Sequence, residues 1–113
     1  MLPSPYKFTK EDFGKVETGG KVFQFGDFGV SLLDRKDNEN SRFGFIVSNK
    51  ISRDSTDRNR IKRALREAIR QSLWQIKGGA SVVFLAKTTI TKRSTEEIMR
   101  QVREALTKLE LIK

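Results

Sequence analysis

The sequence predicts an α+β fold, a two-layer sandwich of one sheet with helices packed against it, in the order α-β-β-β-α-β-α. Three observations carry this. Apolar residues return every three or four positions from Ile61 to Ile76 and again from Ile98 to Leu109, the spacing of a helix buried along one stripe. Short strand-like runs separated by turn residues occupy the stretch before the first stripe. Between the two stripes lies Ala80–Ala86, a near-continuous apolar run of the kind found in strands covered on both faces. At 113 residues the chain is long enough for one core and too short for two, so a single domain spanning 1–113 is expected.

Residues 1–7, broken by Pro3 and Pro5, read as an irregular arm. A helix then starts at Thr9, a capping residue followed three positions later by Asp12, with Phe8 and Phe13 in the staple positions. Gly19-Gly20 ends it. Val22–Phe25 and Phe28–Leu33 form a hairpin about the turn Gly26-Asp27, and the polar run Asp34–Ser41 is a second loop. Arg42–Ser48 alternates as the third strand, with Phe43, Phe45 and Val47 on one face and Arg42, Gly44, Ile46 and Ser48 on the other. The loop Ser52–Asp57 offers caps for a helix of about Asp57–Ile76, which Gly78-Gly79 breaks. Asp54 and Asp57 are expected as caps rather than metal ligands. Ser94 with Glu97 is a capping box that opens the last helix. Val82, Phe84 and the Ile98 stripe belong to the core, and Trp74 is expected to pack against the domain.

Charge points to the partner. The chain carries 23 Lys and Arg against 14 Asp and Glu, a formal +9. The excess is local: Lys50 to Arg70 holds eight basic residues and three acidic ones. At about 100° per residue, Asn59, Arg63, Arg66 and Arg70 fall opposite the apolar stripe, flanked by Arg60 and Lys62. A guanidinium grips phosphate bidentately, so such a row suits a nucleic-acid backbone; the alternative is a solvated face laced by Glu67. Lys87, Lys92 and Arg93 form either a secondary phosphate patch or ordinary surface.

The chain contains no cysteine and no histidine, which removes disulfides, thiolate chemistry, the commonest general base and the commonest zinc ligand. No apolar run approaches the roughly 20 residues that span a bilayer, and Met1–Pro5 has no apolar signal region, so a cytoplasmic, nucleic-acid-facing domain is expected.

The strand Arg42-Phe43-Gly44-Phe45-Ile46-Val47-Ser48, a loop, and the helix Arg58-Asn59-Arg60-Ile61-Lys62-Arg63-Ala64-Leu65-Arg66-Glu67 together resemble the protein subunit of bacterial ribonuclease P. Glu11-Asp12-Phe13 with Val16 resembles that family's first helix, and the likeness runs from about residue 8 to 110. The chain departs from the family pattern in the Lys50–Asp57 loop, which is one residue longer and lacks a glycine, and at Glu17, where a second aromatic is common. The resemblance implies a ribosomal protein S5 domain 2-like fold with a left-handed β-α-β crossover. It implies a ribonucleoprotein that removes the 5′ leader of precursor tRNA, in which the RNA subunit performs the hydrolysis with divalent metal (Mg) held mainly by RNA. The protein would bind the catalytic RNA through Arg53, Arg58, Asn59, Arg60, Lys62, Arg63, Arg66 and Arg70. It would bind the leader through Phe13, Phe8, Arg42 and Lys50, with Phe23, Phe25 and Phe28 as further stacking candidates. No membrane and no protein partner are implied. The alternative is a ribosomal-type structural RNA-binding protein on the same fold.

Overall fold

The computed structural model describes Gly14, Val16 and residues 19–112. Strands β1 (Lys21–Gln24), β2 (Phe28–Asp34), β3 (Arg42–Ile46) and β4 (Ala80–Ala86) form one mixed sheet in the spatial order β1-β2-β4-β3. Helix α1 (Ser55–Ser72) joins β3 to β4, and α2 (Thr95–Lys108) follows β4. The α+β class and the order of elements from β1 onward are those the sequence predicts. Of the predicted first helix, Gly14, Val16 and Gly19 are helical, and the Gly20 N–H donates to the Val16 carbonyl at 2.8 Å. A Cβ on Gly20 would stand 2.5 Å from that same oxygen, which is why the segment turns on glycine here. The arm 1–7, the Thr9 cap, Phe8, Phe13 and Glu17 lie outside the described residues.

β4 takes the centre because its residues are apolar on both sides. It pairs antiparallel with β2 and parallel with β3, with Phe84 opposite Val30 on one flank and Phe45 on the other. Alternation sends Phe28 and Val30 of β2, Phe43 and Phe45 of β3, and Val82 and Phe84 of β4 to one face. The stripes Ile61, Ala64, Leu65, Ala68, Ile69 of α1 and Ile98, Val102, Ala105, Leu106 of α2 close over that face as one core. Phe84 sits at its middle, fully buried, edge-on to Phe28 at 5.5 Å and stacked on Phe45 at 5.7 Å. The other face carries Arg42, Gly44, Ser81 and Val83. Val83 is buried there, and so is Val16, both apart from the main core.

Four details differ from the sequence reading. The hairpin loop is wider than Gly26-Asp27: β1 ends at Gln24, and the Phe25 N–H donates to the Phe28 carbonyl at 2.9 Å. Helix α1 starts two residues early because Asp54 caps it, accepting from the Thr56 N–H at 2.9 Å. Its far end tightens into a 3₁₀ turn, Leu73–Gln75. Trp74 is 77% exposed rather than packed against the domain. The buried stripe passes through Ile69, Leu73 and Ile76, and position 74 lies off it, so the indole points outward.

The end of α1 is tied down by a return of the chain. Ile76 bridges Ile112, and the Lys77 N–H donates to the Leu111 carbonyl at 2.7 Å. Gly79 then takes φ +89°, a conformation that glycine adopts freely, with its N–H on the Glu39 carbonyl at 2.8 Å.

Candidate nucleic-acid interface

Helix α1 is presented by its own caps. Asp54 holds the first turn, and Asp57 accepts from the Ser52 hydroxyl at 3.4 Å. Both acids at the mouth of the basic helix thus serve its N-terminus, where negative charge is favourable. The core stripe then leaves Asn59, Arg63 and Arg66 to face away from the sheet.

The structure brings most of the predicted row together. A groove of about 890 Å³ between α1 and the start of α2 is lined by Asn59, Arg60, Arg63, Arg66, Glu67 and Thr95. Arg63 is exposed and Arg66 half-buried, and neither takes an ion-pair partner among the described residues. Arg60 is held differently. Its guanidinium donates to the Arg93 carbonyl at 2.9 Å and the Thr91 carbonyl at 3.3 Å, which pins the chain after β4 to α1. Lys62 is half-buried one step round the helix, outside the groove lining.

A second hollow of about 460 Å³ lies on the loop side of α1, lined by Asn49, Lys50, Arg53 and Arg58. Arg58 donates to the Ser52 carbonyl at 2.7 Å, which folds the loop back over the helix start. The predicted leader-binding Lys50 therefore shares a site with Arg53 and Arg58. Arg42 stands on the sheet face away from the helices, in an ion pair with Glu39 at 2.7 Å. Phe8 and Phe13 lie outside the described residues. Of the further stacking candidates, Phe28 is fully buried in the core, Phe25 is half-buried and packs against it at 5.7 Å, and Phe23 keeps 38% of its surface.

Arg70 ends the row in an ion pair with Glu67, whose carboxylate takes two guanidinium nitrogens. The hydrogen bond from Arg70 holds the Glu67 carboxyl below its usual range, and the same contact raises Arg70. Here the solvated, Glu67-laced reading describes one residue of the row and not the rest.

One polar centre escaped the sequence reading. Asp27, read as a turn residue, is buried beneath the hairpin and accepts from Arg93 Nε at 2.8 Å and Gln101 Nε2 at 2.6 Å. Burial pushes its carboxyl up, but hydrogen bonds from Gln101, Thr89 and Arg93 outweigh that and leave it below the usual carboxylate range. Lys87 Nζ donates to the Phe25 carbonyl at 2.8 Å in the same corner. Lys87 and Arg93 thus both fasten the hairpin, and Arg93 does so with its charge balanced by Asp27. A Gly-Asp turn followed much later by Arg93 and Gln101 carries no local signal of that contact.

Among the described residues, no group of three or more Asp, Glu, His or Cys side chains comes together to hold a metal, and no helix is long and apolar enough to cross a membrane. The geometry among the described residues is that of a basic surface carried on a helix fixed to the core.

Comparison with known proteins bears on the family and the fold. The family model described as Ribonuclease P matches residues 6–110. The ribonuclease P protein component of a Pseudanabaena species is 31% identical over 113 residues, spanning 99% of this chain and 97% of the relative. That of Alkaliphilus oremlandii is 34% identical over 102 residues, spanning 90% and 88%. The solved structure of the Staphylococcus aureus RNase P protein superposes with a TM-score of 0.85 at 23% identity, covering 96% of this chain and 98% of that one. The Thermotoga maritima RNase P protein gives 0.78 at 22% identity, covering 90% and 96%. These two share the fold.

Proposed function

The chain belongs to the ribonuclease P protein family, and from that premise we propose that it binds a catalytic RNA and the 5′ leader of precursor tRNA, and so assists the endonucleolytic removal of the leader. The observation that carries this is the groove beside α1, where Asn59, Arg60, Arg63 and Arg66 converge on one solvent-open surface. Guanidiniums set on a helix that is itself fixed to a core lose little freedom on meeting phosphate, so the contact is preorganised. The hollow at Lys50, Arg53 and Arg58 supplies a second basic surface, assigned here to the leader and the adjoining RNA.

The chemistry falls to the RNA. The chain has neither His nor Cys, and among the described acids Asp54 and Glu97 serve helix caps while Asp27, Asp37, Glu39 and Glu67 are held in ion pairs. Divalent ions, held by the RNA rather than by residues of this chain, would supply Lewis-acid activation of a water and of the leaving oxygen. The protein neutralises phosphate and orients a strand. The reaction belongs in the cytoplasm, with no membrane and no further protein partner.

The test is reconstitution at low magnesium with the cognate catalytic RNA and a precursor tRNA. Leader removal stimulated only when both macromolecules are present supports the proposal. Cleavage by the protein alone overturns the division of labour, and tight RNA binding without stimulation makes the chain a structural RNA-binding protein.

A further inference from the structure

Trp74 is the chain's single tryptophan and its most exposed large apolar side chain among the described residues, at 77%. Its place is as informative as its exposure. Stepping along α1 from Asn59 by three or four residues gives Arg63, Arg66 and Arg70, and the next step of four reaches Trp74 in the 3₁₀ turn that follows, so the indole continues the solvent-side row that the arginines form. The backbone beneath it is fixed. Leu73 packs into the core, the Ile76 N–H donates to the Leu73 carbonyl at 3.2 Å, and Ile76 is bridged to Ile112. An indole on a fixed turn, in phase with the arginine row and left in water, has the make-up of a stacking platform at the end of a phosphate track.

We propose that Trp74 is an additional RNA-binding residue, on which an unpaired base of the RNA lying along α1 stacks. This rests on the reading of α1 as the RNA-binding helix. Charge complementarity selects the occupant: on this side Arg63 and Arg66 carry charge that no acid among the described residues balances, Arg70 one turn before the indole is paired with Glu67, and Lys77 beyond it is exposed. An apolar peptide would find no apolar ridge here, since the α1 positions leading to the indole on this side are Arg66, Arg70 and Gln71.

The single tryptophan makes the test direct, because the protein's indole emission comes from this residue alone. The cognate catalytic RNA is titrated into the unlabelled protein while binding is followed separately by filter retention at several salt concentrations. Stacking quenches the emission and shields the indole from acrylamide, with the same midpoint as binding. Trp74→Ala weakens binding about five- to 150-fold, the range for loss of one stacked base, and leaves the salt slope unchanged because no phosphate contact is lost. Trp74→Phe restores most of the affinity. Circular dichroism of the variants checks that they fold. RNA binding with unaltered emission and unaltered acrylamide access overturns the role of Trp74 and leaves the RNA-binding helix standing. Loss of affinity accompanied by a reduced salt slope also overturns stacking. No RNA binding by the intact protein overturns both readings together.

Discussion

Arg60 and Arg63 line the same groove but stand in different relations to the rest of the chain, and replacing each by alanine separates binding from scaffolding. Arg63 is exposed with no ion-pair partner among the described residues. Its loss removes one phosphate contact, so the slope of log binding constant against log salt flattens by about 0.7–0.9, and stability stays within about 0.5 kcal/mol. Arg60 holds two backbone carbonyls, one well at 2.9 Å and one marginally at 3.3 Å. A hydrogen bond from a charged donor contributes about 1.5–3 kcal/mol. Half-exposure lets water replace part of that, which leaves about 1–2 kcal/mol for Arg60→Ala. Unfolding entropy near 2.1 cal/mol/K per residue, over 113 residues, converts this to a fall in Tm of about 4–8 °C. The guanidinium keeps donors to spare beyond those two bonds, so the salt slope flattens as well. Thermal unfolding followed by circular dichroism and RNA titrations across salt read the two effects independently. Arg60→Ala with an unchanged Tm refutes the scaffolding argument, and Arg63→Ala with an unchanged slope removes Arg63 from the interface.

Glu67→Gln deletes the carboxylate that neutralises Arg70; RNA binding tightens and its salt slope steepens by up to about 0.9, whereas weaker binding shows that Arg70 never faces the RNA. Asp27→Asn loses the charge-assisted contacts to Arg93 and Gln101 and is less stable at neutral pH by about 1–3 kcal/mol, read from urea midpoints. The Asp27 pKa is lowered on folding, so the unfolded chain binds more protons in the interval between the two values. That contribution is complete above the unfolded value of about 4 and disappears as pH falls through the folded one. The gap between wild type and Asp27→Asn therefore narrows in urea titrations at pH 3, and a constant gap refutes the linkage. Gly79→Ala forces a side chain into φ +89° with its Cβ 3.0 Å from the Asp37 carbonyl, destabilising by about 1–3 kcal/mol in the same assay.

Elements whose signal is periodic were legible in the sequence. Ala80–Ala86 is the central strand to the residue, and the Ser94–Glu97 capping box is present with both of its bonds. The α1 stripe was legible too, with Ile61, Ala64, Leu65, Ala68 and Ile69 buried as spaced. What escaped depends on contacts between distant positions. Asp27 meets residues 66 and 74 positions away, and nothing around a Gly-Asp turn announces them. Arg60 reads as one more groove cation until the chain at Thr91 to Arg93 comes within reach. Trp74 is a different case. Its phase in the helical repeat already put it off the buried stripe, but the size of an indole argued for the core, and in the 3₁₀ turn after α1 the phase prevailed.

The acceptor that each arginine meets explains how so basic a chain keeps a defined binding face. A carboxylate neutralises a guanidinium: Arg35 with Asp37, Arg42 with Glu39, Arg70 with Glu67 and Arg93 with Asp27 are locally balanced pairs. A backbone carbonyl orients a guanidinium and leaves its charge intact. Arg58 on Ser52 and Arg60 on Arg93 and Thr91 are held in this second way, and these two line the two basic hollows. Arg63 and Arg66 complete the groove without an acidic partner among the described residues. Carbonyl docking lowers the rotamer entropy lost when phosphate arrives, while the full positive charge remains to displace counterions. Under the proposed function, affinity for RNA is expected to follow the oriented, uncompensated cations along α1 rather than the formal +9 of the whole chain.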